Sequence, residues 1–513
     1  MRIKNSLMNI IFGLVSQIVS LLMGFFVRTA IIFTLGIEYV GVEGLFTSIL
    51  LLLSLANLGF DTAMLYSLYH PLTEGNTYKI QALLNLYRKA YKIIGLIVFG
   101  IGLCIFPFLQ YLINGDPKVA NLNIIYLLFL LNATLTYFSV YKHSIIIADQ
   151  KGHIISKVRT KFLLFSNVLQ IVILLTTHMY LLVLGIQLIV RISENLYVSN
   201  IAEKLYPFIK RNSAKLNQLE KKEFFRGLYA QSLYKVSGVV INGVDNVVIS
   251  VYLGIVAVGT YSNYLLILGA LSTLLSYIFY SLTASVGNLV SNGSVERKYF
   301  IFRVINFTHL WIFGFCAINL IILLNPFLSY WLGQEYLFNN YIVLAIVLNF
   351  FTAGIQGTCT MFRETTGLFK IGKYRPIIAA CINIALTLLL VKPLGIVGVL
   401  LGTIISRLCV YFWFDPYLLY KHIFDKPLRT YFQTYSKFMC IVVGISVLLK
   451  TMEVTAFTDP LVNLMINFLV CLIIPNLIFY LLFRKSEEIN YLRSIFRTFV
   501  LKKYIPENSK KVS

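Results

Sequence analysis

The chain has 513 residues, of which 58% are hydrophobic and only 13% are charged, and its formal net charge is +23. Soluble domains carry about 25% charged residues, so this composition excludes an ordinary soluble protein. The long apolar runs lack the alternation of membrane β-strands and therefore predict an all-α polytopic membrane protein.

Apolar runs long enough to cross a bilayer core, about 20 residues each, predict fourteen spans. In chain order they are 7–34, 45–69, 91–113, 123–147, 162–176, 180–202, 227–253, 261–289, 304–329, 341–362, 376–391, 394–414, 438–449 with an extension to 457, and 461–483. The first run continues to about Thr34, which indicates a retained helix rather than a cleaved signal peptide.

The placement of the basic residues predicts the topology. With Lys92 and Lys142, which lie just inside the bounds of adjoining spans, counted among the connections, 37 of the 44 Lys and Arg fall at the N-terminus, in even-numbered connections or in the C-terminal tail. Three, Lys118, Lys392 and Lys450, fall in odd-numbered connections. The positive-inside rule therefore places both termini in the cytoplasm. Because topology accounts for most of the basic charge, we expect no nucleic-acid partner.

One short sequence occurs twice. The stretch TLGIEYVGVEG, Thr34 to Gly44, recurs 218 positions later as YLGIVAVGTYS, Tyr252 to Ser262. The period is six spans, an even number, which predicts a parallel repeat with a pseudo-two-fold axis along the membrane normal. The alternative explanation is that membrane helices use the same few residue types, so that short stretches resemble each other without a repeat.

The repeat predicts five regions. They are an N-terminal six-helix lobe (1–202), a cytoplasmic amphipathic linker (203–226), a C-terminal six-helix lobe (227–414), a cytoplasmic loop with helices 13 and 14 (415–483), and a basic cytoplasmic tail (484–513). The linker and the tail from Asn490 resemble interfacial anchors, with solvated linkers as the alternative.

Seven ionisable residues stand out at bilayer depth within the predicted spans, where such residues are costly unless they face a polar interior. They are Arg28, Asp61, Arg191, Glu194, Lys235, Asp245 and Arg407. Polar residues also share one face of span seven: Gln231, Lys235, Gly238, Asn242 and Asp245. Span one has a weaker polar face that includes Gln17 and Arg28. Two such faces predict a water-filled cavity; polar contacts that hold helices together are the alternative.

Cations outnumber anions among these seven residues, and guanidinium groups match phosphate oxygens. We therefore expect an anionic cargo bound by Arg28, Lys235, Arg407, Arg191, Gln17 and Asn242. Asp61, Asp245 and Glu194 are expected to couple an ion or pair with a charge. Arg363 and Glu364 end span ten and are expected at the interface.

The sequence lacks the common enzymatic and cofactor-binding motifs. The sequence has no P-loop, G-x-S-x-G or H-E-x-x-H pattern, so we expect neither catalysis nor a cofactor. Seven single cysteines and six scattered histidines predict no metal site and no disulfide set. The cysteines are expected to be small buried hydrophobes.

The span number, the repeat, its L-G-x-x-x-x-G turn and the cation near the end of span one resemble one family, the Wzx-type bacterial polysaccharide flippases. Their superfamily also holds lipid II flippases and MATE drug exporters. Residues 9–65 and 395–408 carry this resemblance. Arg28 corresponds best to the family's first-helix arginine, and Lys235 corresponds to a basic position of the second lobe by place alone.

The resemblance implies a bacterial cytoplasmic-membrane protein whose two lobes open to either side in turn. It implies movement of a polyprenyl-diphosphate-linked oligosaccharide to the outer leaflet, with a polysaccharide polymerase and glycosyltransferases as partners. H⁺ or Na⁺ coupling is left open. The paired glycine turns, with Gly36 and Gly41 in the first copy, are expected to meet when the outer gate closes.

Four alternatives remain open, one of which is a scaffold without transport that leaves the polar face of span seven unexplained. A lipid II flippase shares the superfamily. A MATE-like ion-coupled drug exporter is expected to have about twelve spans and an acid-rich cavity. A membrane-embedded polysaccharide polymerase or glycosyltransferase is expected to have a long outer loop with catalytic residues, whereas the predicted outer loops are short.

Overall fold

The computed structural model describes residues 2–57, 59–115, 117–210, 214–368, 371–453 and 457–504. Within these ranges the chain is almost wholly helical and contains no strand. The prediction of an all-α polytopic membrane protein is confirmed.

Twenty α-helices occur within the described residues. They are α1 (Arg2–Leu35), α2 (Ile37–Leu53), α3 (Phe60–Glu74), α4 (Thr77–Ile105), α5 (Leu122–Tyr137), α6 (Val140–Ala148), α7 (Gly152–Thr177), α8 (Tyr180–Leu205), α9 (Gln218–Leu253), α10 (Ile255–Tyr280), α11 (Thr283–Asn292), α12 (Val295–Leu332), α13 (Asn340–Gly354), α14 (Gly357–Thr365), α15 (Arg375–Leu394), α16 (Ile396–Arg407), α17 (Phe414–Leu419), α18 (Arg429–Thr451), α19 (Pro460–Phe483) and α20 (Glu487–Tyr504). Short 3₁₀ or π segments join several of them.

The number of helices able to cross a bilayer is lower than the fourteen predicted. Eleven of the described helices or helix runs are long and apolar enough, and a twelfth results if α5 and α6, which meet at 48°, form one span. The second predicted span is divided between α2, which has 17 residues, and α3. The seventh falls on α9, in which only Gly238–Leu253 is apolar. Hydropathy alone did not show the break between α2 and α3 in the second span. It also did not show that the seventh span belongs to a longer helix whose first half is polar.

The two copies of the repeated sequence have the same backbone geometry. Gly36 follows the end of α1 with φ 98°, and Gly254 follows the end of α9 with φ 90°. Positive φ is accessible to glycine at little cost. In each copy the next helix begins at the following residue, so the shared glycine makes the turn.

These two turns also pack against each other. A Cβ placed on Gly259 would lie 2.5 Å from the carbonyl oxygen of Ile37, and Gly41 makes the equivalent approach to Ile255. Such distances are too short for a real Cβ beside backbone atoms. The close approach of α2 and α10 therefore requires glycine at both positions.

The chain folds into two compact units. Unit 1 comprises Met1–Leu266 and Lys373–Gly402, and unit 2 comprises Ile267–Gly372 and Thr403–Ser513. In unit 1, α7 packs along α1 and α8, and α9 packs between neighbours α2 and α15. In unit 2, α12 packs against α13, α18 and α19. The lobes 1–202 and 227–414 remain a prediction.

The predicted linker over 203–226 differs from a single amphipathic helix. In its described part, α8 continues to Leu205, a 3₁₀ turn covers Pro207–Lys210, and α9 begins at Gln218. Asn217 caps α9: its side chain accepts from the Glu220 amide, while the Glu220 carboxylate accepts from the Asn217 amide. This capping box fixes the start of α9 at Gln218. Composition alone predicted that the seventh span begins nine residues later, at residue 227.

Two further expectations are corrected by burial. Arg363 was expected at the interface, but it is 4% exposed and pairs at 3.1 Å with Asp415, itself 2% exposed. A buried guanidinium requires such a carboxylate partner. Of the cysteines, Cys316, Cys359 and Cys471 are buried, whereas Cys104, Cys381, Cys409 and Cys440 are exposed. The expectation of burial is wrong for these four because apolar segments also supply the lipid-facing surface.

Candidate functional site

Unit 1 contains a cavity of about 460 Å³ with a mixed polar and apolar lining. We call it the arginine cavity, after Arg28, Arg159 and Arg191. Its other polar lining residues are Ser20, Glu43, Asn132, Ser166, Asn167, Gln170, Gln187 and Glu194. Most of these residues come from α1, α7 and α8.

One face of α1 forms the first wall. Ser20, Gly24 and Arg28 recur at intervals of four residues, which places them one above another along the helix. Gly24 has no side chain, and a Cβ there would meet only the tip of Leu266 at 3.9 Å. This face therefore leaves space beside the Arg28 side chain.

The faces of α7 and α8 form the second wall and are joined by amide hydrogen bonds. Gln187 of α8 donates to the side-chain oxygen of Gln170 of α7 at 2.8 Å, and Gln170 donates to the Ser166 hydroxyl at 2.8 Å. Gln170 is 3% exposed. Interhelical hydrogen bonds stabilise membrane helix pairs by about 0.6 kcal/mol on average. The hydrogen bond between Gln187 and Gln170 therefore holds the facing sides of α7 and α8 together.

The charges of the cavity have a positive excess. Arg28 lies 4.0 Å from Glu43, and Arg191 lies 3.5 Å from Glu194. Arg159 also lines the cavity, so three arginines face two glutamates. With all five groups ionised, the lining carries a net charge of +1.

Arg28 retains hydrogen-bonding capacity. Its side chain is 14% exposed, and one terminal nitrogen, Nη1, is buried with no acceptor among the described residues. The side-chain oxygen of Asn132 is likewise buried with no donor in the described part of the chain. Unsatisfied buried polar groups are costly, so these two atoms mark positions suited to ligand atoms.

Three of the nine residues predicted from sequence therefore line this cavity: Arg28, Arg191 and Glu194. Gln17 is half-buried on α1, eleven residues before Arg28, and is outside the cavity lining. Their roles in binding stay predictions.

Three predicted residues lie on α9, in unit 1. Asn242 is exposed and donates to the Gly238 carbonyl, and Asp245 is buried. The side chain of Lys235 lies outside the described residues. The expected function of the polar face of α9 stays a prediction.

The remaining two predicted residues have neighbours of their own. Arg407, in unit 2, donates to the backbone and side-chain oxygens of Asn349 at 3.0 and 2.5 Å. Asp61, in unit 1, accepts hydrogen bonds from Asn57, Tyr87 and Tyr91. Asp61 therefore has neutral donors around it, and ion coupling at this carboxylate stays a prediction.

Sequence reasoning missed several lining residues, above all Arg159, Gln170 and Gln187. Arg159 was counted with a cytoplasmic connection because the predicted span began at residue 162, whereas α7 begins at Gly152. The signal was present in the spacing: Arg159, Ser166 and Gln170 recur at intervals of seven and four, on one helical face.

Comparisons with known proteins show what this fold is similar to. No family model matches the chain, and no curated protein sequence matches it. The lipid II flippase MurJ, in an inward closed conformation, is similar over 92% of this chain and 99% of its own, with a TM-score of 0.65 and 19% identity.

Two multidrug transporters are also similar. The MATE multidrug transporter DinF-BH gives a TM-score of 0.59 at 15% identity, over 83% of this chain and 97% of its own. An inward-facing MATE family transporter of the MOP superfamily gives 0.58 at 13% identity, over 77% and 92%. At these identities the likeness concerns the fold: this chain has the fold of the MurJ and MATE proteins.

Proposed function

We propose that this protein is a transporter that moves a polyprenyl-diphosphate-linked oligosaccharide from the cytoplasmic to the outer leaflet of a bacterial cytoplasmic membrane. It acts by alternating access, serves the export of a cell-surface polysaccharide, and catalyses no covalent step. The 37 to 3 distribution of Lys and Arg supports cytoplasmic termini. The fold shared with MurJ and the MATE proteins supports transport.

The observation that carries the proposal is the unsatisfied guanidinium nitrogen of Arg28 in a cavity with a positive excess. A guanidinium binds phosphate oxygens through parallel charge-assisted hydrogen bonds. Arg159 and Arg191 line the same cavity, so a diphosphate has more than one cationic partner there. A diphosphate group fits this chemistry better than a cation does.

The amide groups of the cavity fit the saccharide part of the cargo. Asn132, Asn167, Gln170 and Gln187 line the cavity, and each amide has both donors and an acceptor. Sugar hydroxyls also both donate and accept. The volume of about 460 Å³ lies within the range of small-molecule sites.

A MATE-like drug exporter is the main rival because such proteins share the fold. A cationic drug requires an acidic surplus to offset the loss of its hydration. In the arginine cavity each glutamate has an arginine beside it, and a third arginine is present. The charge of the cavity thus favours an anionic cargo.

The test uses cells depleted of this protein and supplied with wild type, Arg28→Ala or Arg429→Ala. Arg429 is an exposed residue at the start of α18 and serves as the matched control. We expect a diphosphate-linked oligosaccharide to accumulate on the cytoplasmic side. Wild type and Arg429→Ala should relieve the accumulation, and Arg28→Ala, present in the membrane at equal amount, should not.

Each result has a distinct meaning. Relief by Arg28→Ala would remove the arginine cavity from the account and leave the flippase proposal. Absence of accumulation with intact surface polymer would end the flippase proposal, and drug efflux would then be measured.

A further inference from the structure

A second cavity in unit 1, of about 490 Å³, has a strongly basic lining. We call it the basic pocket. Its charged and amide lining residues are Asn85, Arg88, Lys89, Lys92, Lys215 and Lys221. No acidic residue is among the described residues that line it. Five cations thus surround one cavity, which the transport mechanism proposed above does not use.

The backbone segments that carry the pocket residues are held together by a hydrogen bond and by buried side chains. The Asn85 side chain donates to the Ala214 carbonyl at 3.1 Å, which ties the segment before α9 to α4. Ala82, Ala214 and Leu216 are buried and form the base. The charged side chains therefore project from two backbone segments that are fixed to each other.

One carboxylate near the start of α9, that of Glu220, is already engaged. Glu220 accepts from the Asn217 amide and pairs with Lys79 at 3.2 Å. The backbone hydrogen bond and Lys79 lower the pKa of Glu220. Glu220 thereby joins α9 to the start of α4 and is outside the pocket lining.

The position of the pocket along α4 indicates the kind of ligand. Lys89 and Lys92 are followed one turn later by Ile93 and Leu96, which are 58% and 65% exposed. Exposed large apolar side chains on a membrane-crossing helix face lipid tails. The pocket therefore lies where α4 changes from polar to lipid-facing, at the depth of lipid headgroups.

We propose that the basic pocket binds the phosphate of an anionic glycerophospholipid headgroup, whose acyl chains lie along the exposed apolar face of α4. Basic residues beside a membrane helix attract anionic lipids. The site is separate from the arginine cavity, and its occupancy does not depend on the transported cargo.

The test measures lipid binding to the purified full chain by native mass spectrometry, with phosphatidylglycerol, phosphatidylcholine and inorganic phosphate as probes. The pocket variant carries Lys89→Gln, Lys92→Gln, Lys215→Gln and Lys221→Gln. The control variant carries Lys373→Gln, Lys421→Gln, Lys426→Gln and Lys485→Gln. All eight lysines are exposed, so both variants lose the same charge.

We expect the pocket variant to bind its first phosphatidylglycerol about tenfold or more weakly than wild type, and the control less than about twofold more weakly. Phosphatidylcholine binding should be equal in all three proteins, which also reports on folding. Equal loss of phosphatidylglycerol in both variants would overturn the proposal. Displacement of the lipid by equimolar inorganic phosphate would assign the pocket to a soluble anion instead.

A narrower pair of variants covers the case in which the fourfold variant does not fold. Lys89→Gln with Lys92→Gln is then compared with Lys421→Gln plus Lys426→Gln. The first pair should weaken phosphatidylglycerol binding about fivefold or more. No difference between the pairs would overturn the assignment of the pocket.

Discussion

Gly41 of α2 packs so closely on Ile255 of α10 that a Cβ on Gly41 would lie 2.1 Å from the Ile255 carbonyl oxygen. The reverse contact, between Gly259 and Ile37, is nearly as close. Ile37 and Gly41 correspond to Ile255 and Gly259 in the sequence repeat. The repeated stretches therefore form one self-complementary contact, in which each copy supplies the glycine that the other requires.

Alanine at Gly41 or at Gly259 should destabilise the protein. The added methyl group meets backbone atoms of the opposite turn, and forced overpacking costs about 1–3 kcal/mol. Because both substitutions widen the same contact, the double variant should lose less than the sum of the two. Thermal unfolding of the purified protein in detergent measures these effects.

The control for this series is Gly269→Ala, also on α10, where a Cβ would meet nothing within 4 Å. Alanine is the better helix former by about 1 kcal/mol, so this variant should be as stable as wild type or more stable. Equal losses at Gly41, Gly259 and Gly269 would contradict the contact between the turns.

A disulfide should form between cysteines placed at Gly44 and Ser262. A Cβ on Gly44 would lie 3.8 Å from the Cβ of Ser262, within the range of about 3.5–4.5 Å found in disulfides. In a background without the seven natural cysteines, mild oxidation should join the two positions, as seen by mass spectrometry. Under the proposed mechanism the cross-link also stops transport, and reduction restores it.

Two outcomes distinguish the contact between the two turns from their proposed role in the outer gate. No cross-link in the double-cysteine protein would contradict the contact itself. A complete cross-link with undiminished transport would show that the two turns stay together throughout the cycle, and would remove them from the outer gate.

Arg159→Gln should weaken binding of the diphosphate-linked oligosaccharide about tenfold, since a hydrogen bond to a charged group contributes about 1.5–3 kcal/mol. Lys157→Gln is the matched control: Lys157 is exposed on the same helix, over the ring of Phe12, and outside the cavity lining. Titration of purified protein with the lipid-linked saccharide gives both affinities. An equal loss in Lys157→Gln would mean that overall charge, rather than the cavity, governs binding.

Arg363→Met should lower the free energy of unfolding by about 3–5 kcal/mol, because it removes the guanidinium that pairs at 3.1 Å with the buried Asp415 carboxylate. Arg363→Met with Asp415→Leu should recover most of this loss. The control is Lys450→Met, whose side chain is 48% exposed in its pair with Glu453; a loss of at most about 1 kcal/mol is expected there. Denaturant unfolding measures all three, and a double variant no more stable than Arg363→Met would contradict the account.

Hydropathy predicted the class of fold because the bilayer constrains backbone structure directly. The predicted spans differ from the observed helices where a local turn interrupts a helix. Gly59 adopts φ 80° between α2 and α3, and this turn divides a run that appears continuous by composition. Composition also cannot show that the polar first half of α9 is helical, because the capping box at Asn217 and Glu220 fixes where this helix begins.

The candidate site was predicted only in part, because composition shows charged residues in apolar runs but does not show contacts between distant residues. Arg28 and Arg191 were found because charge is rare in apolar runs. Gln170 and Gln187 were missed because uncharged amides stand out little until the hydrogen bond between them is seen. Arg363 was misplaced because its partner, Asp415, follows 52 positions later, beyond any local pattern.

The most direct test of the central claim is a leaflet assay with the purified protein in liposomes. A polyprenyl-diphosphate oligosaccharide is placed in both leaflets, and a sugar-modifying enzyme added outside reports how quickly the inner pool becomes accessible. The account predicts rapid access with wild type and with Arg429→Ala, reduced access with Arg28→Lys, and access as slow as in protein-free liposomes with Arg28→Ala. Wild-type liposomes no faster than protein-free ones, or Arg28→Ala as fast as wild type, would contradict it.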